Sequence, residues 1–140
     1  MTSPLARRIA SAAVLAPIAI AAALAGPPAY AVLVGVFAAA MGWEWARLCM
    51  DGRASSRIVG MAVAAMLGTV LAAAAHGPDA GIIVALAGGV ILGITLRRSA
   101  GRALLAGAGM GYLAVATVAV LAIRGPAEAS PWPTLWLFAV

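Results

Sequence analysis

The sequence predicts an all-α, polytopic transmembrane helical bundle with five full spans and the start of a sixth. Three observations predict it. First, hydrophobic residues make up 65% of the 140 and charged residues 9%, against roughly 45–50% and about 25% in a soluble domain. A water-soluble globule of this size is dominated by its surface, and this chain cannot cover one with polar groups. Second, the charges are clustered, leaving uncharged windows at 9–43, 58–78, 80–96, 103–123 and 129–140. Third, those windows are continuously apolar. A membrane β-barrel would alternate apolar and polar residues in short strands, whereas a helix satisfies every backbone group within its own segment. A soluble enzyme, a secreted domain and a disordered tail are excluded.

A helix needs about 20 apolar residues to cross a hydrocarbon core of about 30 Å. The window 9–43 is too long for one helix, and Gly26-Pro27-Pro28 interrupts it. Glycine favours turns and proline removes donors, so a hairpin joins spans 9–25 and 30–46. Pro17 should kink the first span. The third, fourth and fifth spans are expected at 58–75, 80–96 and 103–123, and a sixth begins at 134–140. Residues 1–140 then form a single transmembrane domain. The seven residues of the sixth segment make about 10 Å of helix, too little to cross. The chain therefore reads as the N-terminal part of a longer protein.

Orientation follows from arginine. Net charge is +5, and all nine basic residues are arginine. Arg7 and Arg8 precede the first span, Arg47, Arg53 and Arg57 flank the second loop, and Arg97, Arg98 and Arg102 flank the fourth. Only Arg124 falls on the opposite side. This distribution describes a multi-pass protein of a bacterial inner membrane with its N-terminus in the cytoplasm, and it argues for a membrane surface over nucleic acid. Trp43 and Trp45 would mark one interface and Trp132 and Trp136 the other. Arg7-Arg8 followed by 9–25 and Ala29-Tyr30-Ala31 also fits a cleaved signal peptide. The apolar spans that follow and the arginine pattern favour retention.

Without a hydrophobic drive between helices in lipid, small residues that permit close approach carry much of the packing. Gly60, Ala64, Gly68 and Ala72 form one stripe, Gly81, Ala85, Gly89 and Gly93 another, and Gly107 and Gly111 a third. The first two should meet across a short loop. Such stripes also allow a homodimer.

Little in the chain can carry chemistry. There is one cysteine, Cys49, one histidine, His76, and four acids, Glu44, Asp51, Asp79 and Glu128. No metal cluster, paired carboxylate or catalytic triad can be assembled from them. Gly107-Ala108-Gly109-Met110-Gly111 follows no strand and the chain has no lysine, so packing glycine explains it better than a phosphate loop. Glu44, between Trp43 and Trp45, is either a functional carboxylate or an interfacial residue paired at i,i+3 with Arg47; its boundary position favours the second. Arg97, Arg98 and Arg102 either bind anionic lipid headgroups or serve orientation alone.

Several runs together resemble a family. Arg8-Ile9-Ala10-Ser11-Ala12-Ala13-Val14-Leu15-Ala16-Pro17 is similar to the Arg-x-x-Ser-Ala-x-Val-Leu-x-Pro opening of bacterial phosphatidate cytidylyltransferases (CDP-diacylglycerol synthases). Trp43-Glu44-Trp45-Ala46-Arg47-Leu48 looks like that family's Glu-Trp-x-x-Leu segment. Gly111-Tyr112-Leu113, Leu121-Ala122-Ile123-Arg124-Gly125 and Leu135-Trp136-Leu137 match, in order, the stretch leading into its catalytic half. The resemblance implies a membrane enzyme of phospholipid biosynthesis. It transfers CMP from CTP to phosphatidate, assisted by Mg²⁺, and gives CDP-diacylglycerol and pyrophosphate. The metal-holding carboxylates and the lysine-containing signature of that family lie beyond the matched part. No catalytic or metal residue is therefore carried over, and the chain alone is expected to be inactive. Glu44, Arg97, Arg98 and Arg102 would line a polar mouth or contact phosphatidate headgroups. The alternatives are a small proton-coupled transporter using Glu44 and a structural membrane subunit.

Overall fold

The computed structural model describes residues 4–50, 52, 54–97, 100–125 and 130–139. Six helices follow in order: α1 Pro4–Ala25, α2 Pro27–Cys49, α3 Ser56–His76, α4 Pro78–Thr95, α5 Ala100–Arg124 and α6 Trp132–Ala139. No strand occurs among the described residues. The first five are long and apolar enough to span a membrane, and each of the five full spans expected from the sequence overlaps one of them. The short final segment is a helix of 8 residues.

Two of the corners use one device. Gly26 and Gly77 both take positive φ, 107° and 94°, a region that L side chains avoid and glycine adopts freely. Each is followed at once by proline, Pro27 and Pro78, at the start of the next helix. There proline's fixed φ fits, and its missing N–H would have had no helical partner anyway. The loops expected to occupy four residues thus shrink to single glycines. At the opposite end Ser55 caps α3, its hydroxyl accepting from the Ile58 N–H at 3.4 Å, as serine favours at an N-cap. α1 runs unbroken through Pro17.

α2, α3, α4 and α5 close a four-helix ring: each packs on the next, and α5 returns to α2. α1 lies outside this ring against α2, and α6 touches α1 and α5. The ring is apolar both inside and out. Its core is dominated by small residues, among them Ala38, Ala46, Ala62, Ala85, Ala106 and Ala114, with Met66, Leu92 and Met110 between them. Val32, Leu71, Ile83, Val90 and Leu104 stand more than 60% exposed. In water such a surface would aggregate; facing acyl chains it is the expected exterior. The chain is a multi-pass membrane protein.

Glycines set the closest approaches. A Cβ at Gly89 would lie 2.9 Å from the Gly107 carbonyl oxygen, and one at Gly107 would lie 2.9 Å from that of Gly89. This reciprocal contact makes α4–α5 a backbone-to-backbone seam, whereas the sequence pairs the α4 stripe with that of α3. The stripe expected on α3 is only half correct. Gly68 packs near Val84, but Gly60 and Ala64 are exposed, and α3 meets α4 through Ala65 against Gly88 and Ala73 against Gly81. The buried face of α3 is instead Ala62, Met66, Thr69 and Val70. It turns toward α2 because Gly42 offers a matching hollow, where a Cβ would meet Met66 Cγ at 2.9 Å and the Ala62 carbonyl oxygen at 3.0 Å.

Candidate functional site

One end of the bundle gathers the arginine-rich connections α2–α3 and α4–α5, and the sequence places its candidate residues there. Glu44 is exposed in the last turns of α2. Its expected partner is engaged elsewhere: the Arg47 guanidinium stands over the Trp43 ring, 5.2 Å from its centroid. Residues 43 and 47 are one helical turn apart, so this cation–π contact replaces the expected Glu44–Arg47 ion pair. Arg97, just beyond α4, and Arg102, in the first turn of α5, are exposed. Arg98 lies outside the described residues.

Trp45 departs from its expected place in an interfacial belt. It is half-buried between α2 and α5, against Gly109, whose missing side chain leaves the space that the indole fills. The Nε1 atom is buried with no hydrogen-bond partner among the described residues. The pairing of a tryptophan with a distant glycine has no local spacing signal, so the sequence does not reveal it. Trp132 and Trp136 are exposed, as an interfacial role requires.

Between α4 and α5, on the bundle's outer surface, runs a groove of about 570 Å³. Gly89, Gly93, Gly107 and Gly111 form its floor and Leu86 and Tyr112 stand on its sides. It begins at Ala103, next to Arg102.

The opposite end holds a polar joint that sequence reasoning missed. Arg124, the one arginine that the sequence places on the opposite side, is only 5% exposed. Its Nε donates to the Ala23 carbonyl oxygen at 3.1 Å, across 101 residues of chain. The local sequence supplies the reason. The helical donor for the Ala23 carbonyl would be the N–H of the residue four positions on. Here that residue is Pro27, which has no N–H. Arg124 supplies a donor to a carbonyl of that last turn. Tyr30, buried in the first turns of α2, lies within electrostatic reach of Arg124. Thr134 of α6 is fully buried, and its hydroxyl has no hydrogen-bond partner among the described residues. The signal for this joint was present: two prolines after a helix-ending glycine, and one arginine on the arginine-poor side.

Among the described residues the remaining titratable groups do not converge. His76 and Asp79 are exposed at the α3–α4 corner, and Cys49 is buried at the end of α2. Among the described residues no three His, Cys, Asp or Glu side chains stand close enough to hold a metal. The described residues therefore offer no site for the Mg²⁺ that the resemblance implies. No family model, curated protein or solved structure matches the chain.

Proposed function

We propose that this chain is the membrane scaffold of a phosphatidate cytidylyltransferase-like enzyme, its N-terminal portion, set in a bacterial inner membrane with its N-terminus in the cytoplasm. In this reading it holds helices that carry the transfer of CMP from CTP to phosphatidate and contributes no catalytic residue itself. One observation carries it: residues of the resembling segments coincide with joints of the bundle. Trp45 fills the space at Gly109, and Arg124 ties α5 to the end of α1. Motifs spent on joints point to architecture. The orientation rests on eight of nine arginines falling at one end, as cytoplasmic loops prefer. The same joints favour, as second reading, a structural membrane subunit with no enzymatic partner half. A proton-coupled transporter would need a carboxylate within the bundle, and Glu44 is exposed at its end.

A chimera separates these readings. The corresponding N-terminal helices of a bacterial phosphatidate cytidylyltransferase are replaced by this chain, and CTP-dependent conversion of phosphatidate is measured in membranes with Mg²⁺. The chimera is expected to be active and the 140-residue chain alone inactive. A chimera that inserts at the normal level yet shows no turnover leaves the structural subunit. Turnover by the chain alone overturns the scaffold role.

Glu44→Gln in the same chimera is expected to leave activity near the parent value and to change stability by less than about 0.5 kcal/mol, as for exposed residues generally. A loss of activity at equal expression would return Glu44 to the site.

A further inference from the structure

We infer that the α4–α5 groove binds one anionic phospholipid of the bilayer, with an acyl chain lying along its glycine floor and the phosphate at Arg97 and Arg102. The inference is independent of the function proposed above. Length is the first argument. The groove runs along α5 from Ala103 to Val115, about 18 Å at 1.5 Å per residue. One leaflet of hydrocarbon is about 15 Å deep, half of a core of about 30 Å. An acyl chain starts at the charged surface and stops near the midplane, as this groove does. A second copy could use the same glycines, but it would leave the arginines at the rim without an anionic partner.

Charge is the second argument. The groove starts one residue from Arg102, and Gly93 at its α4 side is four residues from Arg97; both arginines are exposed. Cationic side chains at the rim and an apolar floor below match an anionic headgroup and its tail. The floor is also permanent. Gly89 and Gly107 cannot carry side chains without striking each other's carbonyls, so the groove follows from this backbone contact. Gly111 differs, because a Cβ there would meet nothing within 4 Å. The empty space in front of it is the groove.

That difference supplies the test. The purified chain in neutral detergent is titrated with phosphatidylglycerol or with phosphatidylcholine of identical acyl chains, and bound lipid is counted by native mass spectrometry. Phosphatidylglycerol is expected to be retained preferentially as a single adduct. Arg97→Gln and Arg102→Gln should each weaken its retention by roughly five-fold, the equivalent of one near-surface charge, and should weaken that of phosphatidylcholine, whose choline offsets the phosphate charge, by less. Gly111→Leu should abolish the adduct by filling the groove, while Gly60→Leu, equally open but on α3, should not. Both arginine variants lie at the exposed surface, so the charge result stands even if a leucine variant misfolds. Equal retention of the two lipids, or an adduct surviving Gly111→Leu in a folded chain, overturns the inference. So does a dimer that Gly111→Leu dissolves and headgroup charge does not affect, because the groove is then a seam between copies.

Discussion

Gly107→Ala is expected to destabilise the bundle by about 1–3 kcal/mol, the usual cost of overpacking, although alanine is the better helix former. The added methyl would stand 2.9 Å from the Gly89 carbonyl oxygen. That obstacle is backbone, which cannot swing aside like the end of a side chain, so α4 and α5 must part. Parting them loosens contacts along the seam, and lipid offers no hydrophobic drive to close it again. Gly89→Ala should cost a similar amount for the reciprocal reason. The double variant should cost less than the sum, because the second methyl enters a seam already opened. Gly111→Ala, one turn along the same helix with open space before it, should be neutral or stabilising. Unfolding of the four variants in mixed micelles, followed by circular dichroism, decides the matter. A neutral Gly107→Ala, or strictly additive losses, would mean that the helices do not approach this closely.

How far such contacts could be read in advance depended on what each position competes with. Span number and position were legible because burial in hydrocarbon leaves helices as the solution for long uncharged runs, and Gly26-Pro27-Pro28 is an unambiguous break. The buried face was legible on α4, where Gly81, Ala85 and Gly89 are all buried in register, but its closest backbone partner, α5, was not. On α3 the same reasoning chose a face that is half exposed. Alanine and glycine occur all around that helix, so spacing alone cannot select a face. The choice is made by the partner, through the Gly42 hollow that receives Met66. Trp45 and Arg124 were read by residue class, as belt aromatic and flanking charge. Each is drawn inward by something far away in sequence: a missing side chain at Gly109 for one, a carbonyl with no local donor for the other. Of the candidate site residues, Arg97 and Arg102 stand at the surface as expected, but the groove beside them needed α4 and α5 placed together before it existed at all.

Arg124→Leu is expected to release α1 while leaving the four-helix ring nearly intact. α1 is the least embedded span, with only 6% of its apolar window buried, and it lies outside the ring against α2 and α6. Its last turn is short of a donor because Pro27 has no N–H. Losing a hydrogen bond from a charged group to a buried acceptor costs about 1.5–3 kcal/mol. An opposing gain comes from removing a buried cation. That gain is smaller than for a cation at the bilayer centre, because Arg124 is the last residue of its helix. The orphaned Ala23 carbonyl therefore decides the sign. Arg124→Lys should recover only part of the loss, since an ammonium cannot reproduce a donor placed as Nε is. The effect is local and needs a local probe. In a Cys49→Ala background, a cysteine at position 23, where the native alanine is fully buried, should react with a maleimide several-fold faster in Arg124→Leu. The unfolding midpoint of the ring should barely move. If labelling stays slow while the whole bundle weakens, Arg124 supports the core and not the attachment of α1. If neither changes, the contact at 3.1 Å contributes nothing, and α1 is held by α2 and the surrounding lipid.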